Sequence, residues 1–339
     1  MGKTILVTGA AGFIGFHLSR SLLAQGHTIL GFDGLTPYYD PALKRIRLSI
    51  LEQQTGFRFI EGRLEDAATL SRVMDAHRPD MVVHLAGQPG VRYSIEAPAS
   101  YVEANLVGTG NLLEAIRAHP VEHLLFASTS SVYGGNARMP FAETDPADHP
   151  LSLYAATKKA GEAMVHSYAH LYAIPSTCLR FFTVYGPYGR PDMALMIFAK
   201  AMLEGRSFDV FGHGEMRRDF TYVDDLVDAM SRLLAVIPQQ GRAVEGDSLS
   251  PVAPFRIVNI GGGQPTPLMD FIAALEAGLG VVPKFNMVPM QLGDVRATEA
   301  DTALLRRLIG ETKTTPIAEG VRHFADWFRA YHASAGRPA

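Results

Sequence analysis

A run of glycines near the start of the chain constrains the fold more than any other feature of the sequence. Gly9, Gly12 and Gly15 recur every third residue, after the apolar stretch 3–8 and before a stretch with a helical pattern. A strand, a tight glycine turn and a helix in this order favour a unit whose backbone approaches a phosphate closely. The free N–H groups and partial positive charge at the start of the helix suit the same anion. The sequence therefore predicts a phosphate-binding turn.

A carboxylate follows at a distance typical of dinucleotide sites. The second predicted strand, 28–33, ends at Asp33. Its carboxylate can accept hydrogen bonds from an adenosine ribose and would repel a 2′-phosphate, so the pattern favours NAD over NADP. A glycine triplet alone is also compatible with a plain structural turn, but its position between a strand and a helix, with Asp33 downstream, favours the dinucleotide site.

The first half of the chain alternates between strands and helices. Further apolar strands are predicted at 57–60, 81–85 and 123–127, with helical patterns between them. This alternation predicts an α/β fold, a Rossmann-type doubly wound parallel sheet covered on both faces. Prolines and glycines become frequent after residue 185. We therefore expect an NAD-binding Rossmann domain over 1–185 and a smaller α/β C-terminal substrate domain over 186–339, which can return a strand or helix to the first domain.

Composition excludes several classes of function. Lys and Arg number 31 against 34 Asp and Glu, a net charge of −3, which argues against nucleic-acid binding by bulk electrostatics. The single cysteine, Cys178, excludes an intrachain disulfide and a multi-cysteine zinc site, and the twelve histidines lack metal-ligand spacing. We expect no metal. With no apolar run of about 18 residues and no signal peptide, we also expect no membrane segment and a cytoplasmic location.

Tyr154 and Lys158 are candidate catalytic residues. They are four residues apart, so on a helix both side chains point into the same space. A phenol with an ordinary pKa near 10 is a poor base at neutral pH, and a nearby ammonium favours its phenolate form. The alternative is a surface helix with an unrelated tyrosine and lysine.

Hydroxyl side chains follow the strand predicted at 123–127. Ser128, Thr129 and Ser130 stand where α/β sheets bind their ligands, at the carboxyl end of a strand. One of these hydroxyls can hydrogen-bond the substrate hydroxyl that Tyr154 deprotonates. An ordinary serine-rich turn is the alternative.

The glycine turn, the hydroxyl strip 128–134 and the Tyr154/Lys158 pair resemble the extended short-chain dehydrogenase/reductase family, and within it the NAD-dependent nucleotide-sugar epimerases and dehydratases. The resemblance extends over nearly the whole chain. Segments similar to the members that act on UDP-glucuronate are 38–40, 43–45, 88–94, 149–154, 179–187 and, most clearly, 189–194.

This resemblance implies an isomerase that converts UDP-glucuronate to UDP-galacturonate. Tyr154 would remove the proton from the sugar O4 while hydride passes from C4 to NAD and then returns to the opposite face of a 4-keto sugar. Lys158 would tune Tyr154, and Thr129 would contact O4. Family dehydratases and decarboxylases carry carboxyl groups where this chain has Ser130 and Ser131, so elimination is not expected.

Arg190 points to the class of sugar. A guanidinium matches a carboxylate in bidentate geometry, so the C6 carboxylate of a uronate is its natural partner. We expect Thr183 and Arg190 to hold that carboxylate so that the 4-keto sugar, a β-keto acid, does not decarboxylate. The alternatives are a surface arginine, and a UDP-hexose 4-epimerase that acts on neutral sugars. A non-catalytic dinucleotide-binding protein is a third hypothesis, which the intact Tyr154, Lys158 and Thr129 oppose.

The resemblance also assigns roles to individual positions. The cofactor-binding positions are Gly9, Gly12, Phe13, Ile14, Gly15, Asp33, Leu64, Leu85, Ala86, Gly87, Asn105, Tyr154 and Lys158. The substrate-binding positions are Gln88, Arg92, Ser128, Ser130, Thr183, Arg190, Phe211, Arg218, Gln291 and Asp294. Arg63 departs from the pattern because relatives place an adenine-binding Asp there, which leaves Leu64 or, as an alternative, Asp66. The helices that carry 101–117 and 154–172 are expected to pair in a homodimer.

Overall fold

The computed structural model describes residues 2–291 and 293–335. Its strands are β1 (Thr4–Thr8), β2 (Thr28–Asp33), β3 (Phe57–Glu61), β4 (Met81–His84), β5 (His123–Thr129), β6 (Ser176–Phe181), β7 (Thr183–Tyr185), β8 (Ser207–Phe211), β9 (Arg217–Tyr222), β10 (Phe255–Ile260), β11 (Pro265–Pro267) and β12 (Lys284–Val288). The helices are α1 (Phe13–Ala24), α2 (Ala42–Glu52), α3 (Ala67–His77), α4 (Tyr93–Glu96), α5 (Pro98–Tyr101), α6 (Gly108–Ala118), α7 (Leu153–Tyr172), α8 (Ala194–Leu203), α9 (Val223–Leu233), α10 (Leu268–Leu279), α11 (Ala303–Ile309) and α12 (Ile317–Ala335).

Seven of these strands form the central sheet. Their order is β10-β6-β5-β4-β1-β2-β3, and every neighbouring pair is parallel. The chain starts in the middle of the sheet, builds outward to β3 and then crosses back to β4. That reversal between β1 and β4 is the topological switch point at which doubly wound sheets bind ligands. The predicted Rossmann-type fold class is confirmed.

Both faces of this sheet are buried, which explains why its strands are apolar throughout. Side chains alternate between the two faces. In β1, Ile5 and Val7 pack into one core and Leu6 into the other. A third core lies in the C-terminal half, where α8, α10 and α12 pack together around residues such as Phe271 and Phe324.

The two halves of the chain share one of these cores. The remaining strands form two smaller sheets, β11-β9-β7 and β12-β8. Strand β10 follows β7, β8 and β9 in sequence, yet it pairs with β6 at the edge of the central sheet. Helix α9 lies against α1, and its Val223 and Leu226 are buried in the same core as Ile5. The division into two domains at residue 185 stays a prediction. Within the described residues, no helix combines the length and the apolar character needed to cross a bilayer.

Glu143 links the two halves and gives the stability a pH dependence. Its carboxylate accepts the backbone N–H of Asn259 in β10 at 2.9 Å. Burial raises the pKa of Glu143 to about 7, and the negative charge of Asp301 adds to this effect. An acid whose pKa is higher in the folded state contributes full stability below its unfolded pKa and loses that contribution as the pH rises through its folded pKa.

We expect Glu143→Gln to be more stable than the wild type by about 1–3 kcal/mol at pH 8, with the difference growing as the pH rises from about 4.5 to 7. Urea unfolding at a series of pH values measures this difference. Glu52→Gln, at an exposed position on α2, is the control. A difference that does not change with pH would contradict the prediction.

Candidate active site

The carboxyl ends of the central strands open onto a cleft with a volume of about 570 Å³. Predicted cofactor and substrate positions line this one cavity together. They are Gly9, Gly12, Phe13, Ile14, Gly15, Asp33, Leu64, Leu85, Ala86, Gly87, Gln88, Ser128, Thr129, Ser130, Tyr154, Lys158, Thr183 and Arg190. Most of the predicted set is therefore brought together by the fold, while the role of each residue stays a prediction.

The glycine turn has no room for side chains. Gly9 has a φ of 75°, in the left-handed region. A Cβ at Gly15 would lie 2.1 Å from the carbonyl oxygen of Gly9, and a Cβ at Gly12 would lie 2.9 Å from the same atom. Helix α1 starts directly after Gly12, which has no side chain to cap it, so its first N–H groups are free for a ligand. The turn thus fits a dinucleotide pyrophosphate.

We expect Gly15→Ala to weaken NAD binding by about 10-fold or more, because a clash with backbone forces the turn to open and each 1.4 kcal/mol of distortion costs a factor of ten. Calorimetric titration with NAD measures the affinity. Gly135→Ala is a matched control, because a Cβ there meets no atom within 4 Å. Unchanged NAD affinity in Gly15→Ala would show that the turn does not carry the pyrophosphate.

Asp33 and Leu64 lie where an adenosine would bind. The Asp33 carboxylate accepts the backbone N–H groups of Ala11 at 3.1 Å and Leu35 at 2.8 Å. Each oxygen keeps a further lone pair for a ribose hydroxyl. Leu64 lines the cleft, but Asp66 does not, because its carboxylate caps α3 by accepting the N–H of Thr69.

Arg63, which stands where relatives place an aspartate, forms an ion pair with a neighbouring residue. Its Nη2 pairs with the Glu65 carboxylate at 2.9 Å. Both residues line the cleft, so the pair replaces a lone carboxylate at the adenine end.

Tyr154 and Lys158 lie one turn apart on α7, with Ser152 capping the helix by accepting the N–H of Ala155. Burial raises the pKa of Tyr154, while the positive charge of Arg190 and a hydrogen bond with Thr129 lower it. Lys158 instead donates to the carbonyl oxygen of Ala127 at 3.0 Å, and burial lowers its own pKa to about 8. In this structure the positive charge of Arg190 lowers the pKa of Tyr154. The role of Lys158 in tuning Tyr154 stays a prediction.

The hydroxyls at the carboxyl end of β5 point in two directions. Thr129 caps the short 3₁₀ helix Ser130–Tyr133 by accepting the N–H of Ser131 at 3.2 Å, and it faces Tyr154. Ser128 points the other way and donates to the Glu162 carboxylate at 2.6 Å. Ser128 lines the cleft, yet its hydroxyl is directed to Glu162, because successive side chains of a strand point to opposite faces. Its role in substrate binding stays a prediction.

Asn105 was predicted to bind the cofactor, and that role stays a prediction. It is buried behind the cleft, where its amide donates to Gln88 O and Thr157 Oγ1 and accepts the N–H of Gln88. A Cβ at Gly87 would lie 2.6 Å from its Oδ1. Asn105 therefore positions the 87–88 loop that lines the cleft and does not itself line the cleft.

Arg190 reaches the cleft but already has a carboxylate partner. Its Nε and Nη2 donate to Asp192 Oδ1 and Oδ2 at 3.0 and 2.6 Å. Tyr38 donates to the same Oδ2 at 3.0 Å. The sequence prediction treated Arg190 as free for a substrate carboxylate, and the structure shows that one edge of its guanidinium is taken.

Three of the predicted substrate residues form a cluster beside the cleft. The Arg92 guanidinium lies 4.7 Å from the centre of the Phe211 ring and 3.8 Å from the Asp294 carboxylate. A Cβ at Gly293 would lie 3.1 Å from Val91, which lines the cleft, so the cluster adjoins the cavity. Phe211 was expected to stack on uracil, but Arg92 already covers one of its faces.

Arg218 and Gln291 belong to the same part of the molecule. Arg218 Nη1 donates to the carbonyl oxygens of Arg217 and Arg296, and burial lowers its pKa. Gln291 Oε1 is buried and finds no hydrogen-bond donor among the described residues. A cation and a free amide oxygen suit the phosphate and base of a nucleotide, and this role stays a prediction.

Arg47 is a residue that sequence reasoning missed. Its side chain is fully buried and, among the residues that the structure describes, donates only to neutral groups: the carbonyls of Ala11, Tyr188 and Gly189 and the Tyr39 hydroxyl. It thereby joins the glycine turn to the loop that carries Arg190. Segments 38–40 and 43–45 contributed to the resemblance, but spacing alone gave them no role, and the contacts of Tyr38 and Arg47 became visible only in three dimensions.

Comparison with known proteins agrees with this geometry. A Rhizobium meliloti protein named "Probable UDP-glucuronate 4-epimerase" is 52% identical over 327 residues, which cover 95% of this chain and 96% of that protein. "UDP-glucuronate 4-epimerase 4" of Arabidopsis thaliana is 43% identical over 343 residues, 100% of this chain and 78% of its own length.

A solved structure has the same fold over nearly its full length. The UDP-glucuronic acid 4-epimerase from Bacillus cereus, in complex with UDP-glucuronic acid and NAD, matches with a TM-score of 0.86 at 33% identity and covers 97% of this chain and 99% of its own. The model of the NAD dependent epimerase/dehydratase family matches residues 5–245. The family expected from the sequence is confirmed, and this chain belongs to the NAD dependent epimerase/dehydratase family.

Proposed function

We propose that this enzyme inverts C4 of UDP-glucuronate to give UDP-galacturonate, with NAD as its cofactor. The observation that carries the proposal is that Tyr154, Thr129 and Arg190 line one cleft together with the glycine turn. A base, a hydroxyl and a guanidinium around one space are the groups needed to hold a uronate and move the proton of its O4. The names of the relatives support the same substrate.

Gly9, Gly12 and Gly15 would hold the pyrophosphate of NAD, which would supply a reversible hydride acceptor for C4 of the sugar. Tyr154 takes the proton of O4 and gives it back when C4 is reduced again. Thr129, which is hydrogen-bonded to Tyr154, orients O4. Lys158 is largely protonated at neutral pH with its pKa of about 8, and can hold a ribose hydroxyl while it donates to Ala127 O.

The remaining hydroxyls limit the reaction to epimerisation. Ser130 and Ser131 lie in the 3₁₀ helix that Thr129 caps, at the positions where a dehydratase would need carboxyl groups. A serine hydroxyl is too weak an acid and base to remove a proton from C5. The cleft thus supplies proton transfer at O4 without elimination.

We infer that Arg190 and Thr183, which both line the cleft, hold the C6 carboxylate. We expect Arg190→Met to weaken UDP-glucuronate binding by about 10–100-fold, since a charge-assisted hydrogen bond contributes about 1.5–3 kcal/mol. The same change should release a decarboxylated 4-keto pentose. Binding titration and NMR of the products measure the two effects. If Arg190→Met binds UDP-glucuronate like the wild type and forms no pentose, Arg190 does not hold the carboxylate.

A UDP-hexose 4-epimerase is the second candidate. The Arg190–Asp192 pair favours it, because an arginine that already has a counterion can lie beside a neutral sugar at little electrostatic cost. In that case UDP-glucose, rather than UDP-glucuronate, would be the better substrate.

The deciding experiment incubates the purified protein with UDP-glucuronate, first without and then with added NAD, and follows the nucleotide sugars by proton NMR. We expect UDP-galacturonate to appear and reach a steady ratio with the substrate without added NAD. Tyr154→Phe is the inactive control. If UDP-glucuronate stays unchanged with NAD present while UDP-glucose is converted, the neutral-sugar epimerase is the correct function.

We also infer a homodimer, in line with the prediction from the sequence. Apolar side chains lie exposed on the two helical segments expected to pair: Val102, Val107, Leu171 and Tyr172, with 42%, 50%, 65% and 46% of their surface exposed. Light scattering on the wild type should give twice the mass of one chain, and Val107→Glu should give a single chain. Val282→Glu, at an exposed position before β12, is the control. The cytoplasmic location stays a prediction, tested by cell fractionation.

A further inference from the structure

Asp192 engages only part of the Arg190 guanidinium. A guanidinium carries five N–H donors. Asp192 takes the Nε donor and one Nη2 donor. Of the other three donors, one on Nη1 and one on Nη2 form the outer edge, and none of the described residues accepts a hydrogen bond from Nη1 there. A second carboxylate can therefore bind to the Nη1–Nη2 edge while Asp192 stays in place.

Asp192 is itself held from the opposite side. The Tyr38 hydroxyl donates to its Oδ2, and the Tyr38 ring packs against Tyr93 at 4.9 Å between ring centres. Burial opposes ionisation of Asp192, but the Arg190 charge and the hydrogen bonds from Arg190 and Tyr38 outweigh it and hold the pKa of Asp192 below its usual value. The carboxylate is thus ionised at neutral pH and fixed in position by two elements of the cleft.

A fixed carboxylate determines how the guanidinium is presented. With its Nε–Nη2 edge bound to Asp192, the plane of Arg190 cannot rotate without breaking two charge-assisted hydrogen bonds. Asp192 also cancels the positive charge, so the attraction for a substrate carboxylate comes from hydrogen-bond geometry more than from net charge. When it is paired with Asp192, Arg190 distinguishes a uronate from a neutral sugar mainly by the orientation of its hydrogen-bond donors and only weakly by charge.

We propose that Asp192 is a positioning residue that turns the outer edge of Arg190 toward the C6 carboxylate and so keeps the 4-keto sugar from decarboxylating. This inference rests on the proposed function. Decarboxylation breaks the C5–C6 bond, releases CO₂, and passes the bonding electron pair to the C4 carbonyl as an enolate, which then takes a proton at C5. A carboxylate held by a fixed guanidinium keeps the C5–C6 bond near the carbonyl plane, where it overlaps poorly with the π system.

The test uses Asp192→Asn, which keeps the size of the side chain and removes its charge. We expect the share of decarboxylated product to rise about 10-fold or more, because losing one charge-assisted hydrogen bond is worth about 1.5–3 kcal/mol in orientation. The KM for UDP-glucuronate should fall together with its Kd, while kcat for the epimer also falls. Asp192→Glu, which restores the carboxylate, should recover part of the wild-type product ratio.

Equilibrium binding gives a second readout that does not depend on turnover. In Asp192→Asn the guanidinium loses its counterion, so the ratio of the UDP-glucose Kd to the UDP-glucuronate Kd should rise by about 10-fold. Tyr38→Phe keeps the carboxylate but loosens it, and should shift both readouts in the same direction by a smaller factor. Asp228→Asn removes a carboxylate from the exposed pair with Arg232 on α9 and serves as the control.

The outcomes separate the inference from the function it rests on. If wild type does not epimerise UDP-glucuronate, the proposed function fails, and the Kd ratio still tests the role of Asp192. If the wild type is active and Asp192→Asn gives the wild-type product ratio and Kd ratio, the inference is overturned. If Asp192→Asn does not fold, Tyr38→Phe decides: unchanged product and Kd ratios overturn the inference, and a shift in both supports it.

Discussion

Replacing Tyr154 with phenylalanine is expected to lower kcat for C4 epimerisation by about 10²–10⁴-fold, the usual contribution of a general base. The phenol is the group in the cleft that is hydrogen-bonded to Thr129 and influenced by the charge of Arg190. Because only the hydroxyl is removed, we expect the affinity for UDP-glucuronate to change by less than about 3-fold. Product formation followed by proton NMR and a binding titration measure the two quantities.

Tyr172→Phe is the matched control, because Tyr172 lies at the end of the same helix with its ring half exposed. The pH profile provides a further check. Since burial raises the pKa of Tyr154 and the hydrogen bond with Thr129 lowers it, Thr129→Val should move the rise of kcat with pH to higher pH. A Tyr154→Phe enzyme that retains kcat within about 10-fold of wild type would assign the base to another group.

Breaking the buried pair between Glu162 and Arg180 is expected to lower the free energy of unfolding by about 3–5 kcal/mol. Arg180 Nε and Nη2 each donate to Glu162 at 2.9 Å, and both side chains are almost fully buried. Arg180→Met leaves the Glu162 carboxylate in the core with only Ser128 and Lys159 as partners. Urea unfolding measures the loss.

The double variant Glu162→Met/Arg180→Met should recover most of this stability, because replacing both members of a buried ion pair with apolar groups is often neutral. Arg117→Met, in an exposed pair with Glu114, should cost no more than about 1 kcal/mol. A loss of the same small size in Arg180→Met would show that the buried pair contributes no more than a surface one.

The same pair makes the wild type sensitive to acid. Burial would raise the pKa of Glu162, but the hydrogen bonds and charge of Arg180 outweigh it and lower the pKa below 4.5. An acid whose pKa is lower in the folded state contributes stability above its unfolded pKa, and this contribution is lost as the pH falls through its folded pKa. The wild type should therefore lose stability relative to the double variant as the pH falls below about 4.5.

The fold and the cofactor site could be predicted from the sequence because interactions between residues close together in the chain determine them. The turn requires glycine at positions 9, 12 and 15 because nearby backbone atoms leave no room for a Cβ there. Asp33 could be identified because it ends the next strand, beside the turn. The pairing of Tyr154 with Lys158 follows from the helical period alone. Apolar strands separated by helices led to the parallel sheet for the same reason.

The direction in which side chains point at the end of a strand could be learned only from the structure. The sequence predicted that β5 ends at residue 127, whereas its pairing with β6 extends it to Thr129. Two more strand residues impose alternation on Ser128 and Thr129, so only Thr129 faces Tyr154. The partner that draws Ser128 away is Glu162, 34 residues along the chain.

The hydrogen-bond partners of Arg190 and Arg47 also include residues distant in sequence, so only the fold shows which of their donors are occupied. Sequence reasoning could name Arg190 because a guanidinium in that segment suits a carboxylate, but it could not show that Tyr38 delivers a hydroxyl to Asp192 from 154 residues away. Arg47 is likewise explained only by the carbonyls of the 188–189 loop. By itself the sequence determined the fold and the placement of Tyr154 and Lys158 on one side of a helix, because backbone geometry and helical and strand periods act locally. The tertiary structure alone decided which polar groups remain free for substrate, because a buried charge takes whatever partner the fold brings within hydrogen-bonding distance.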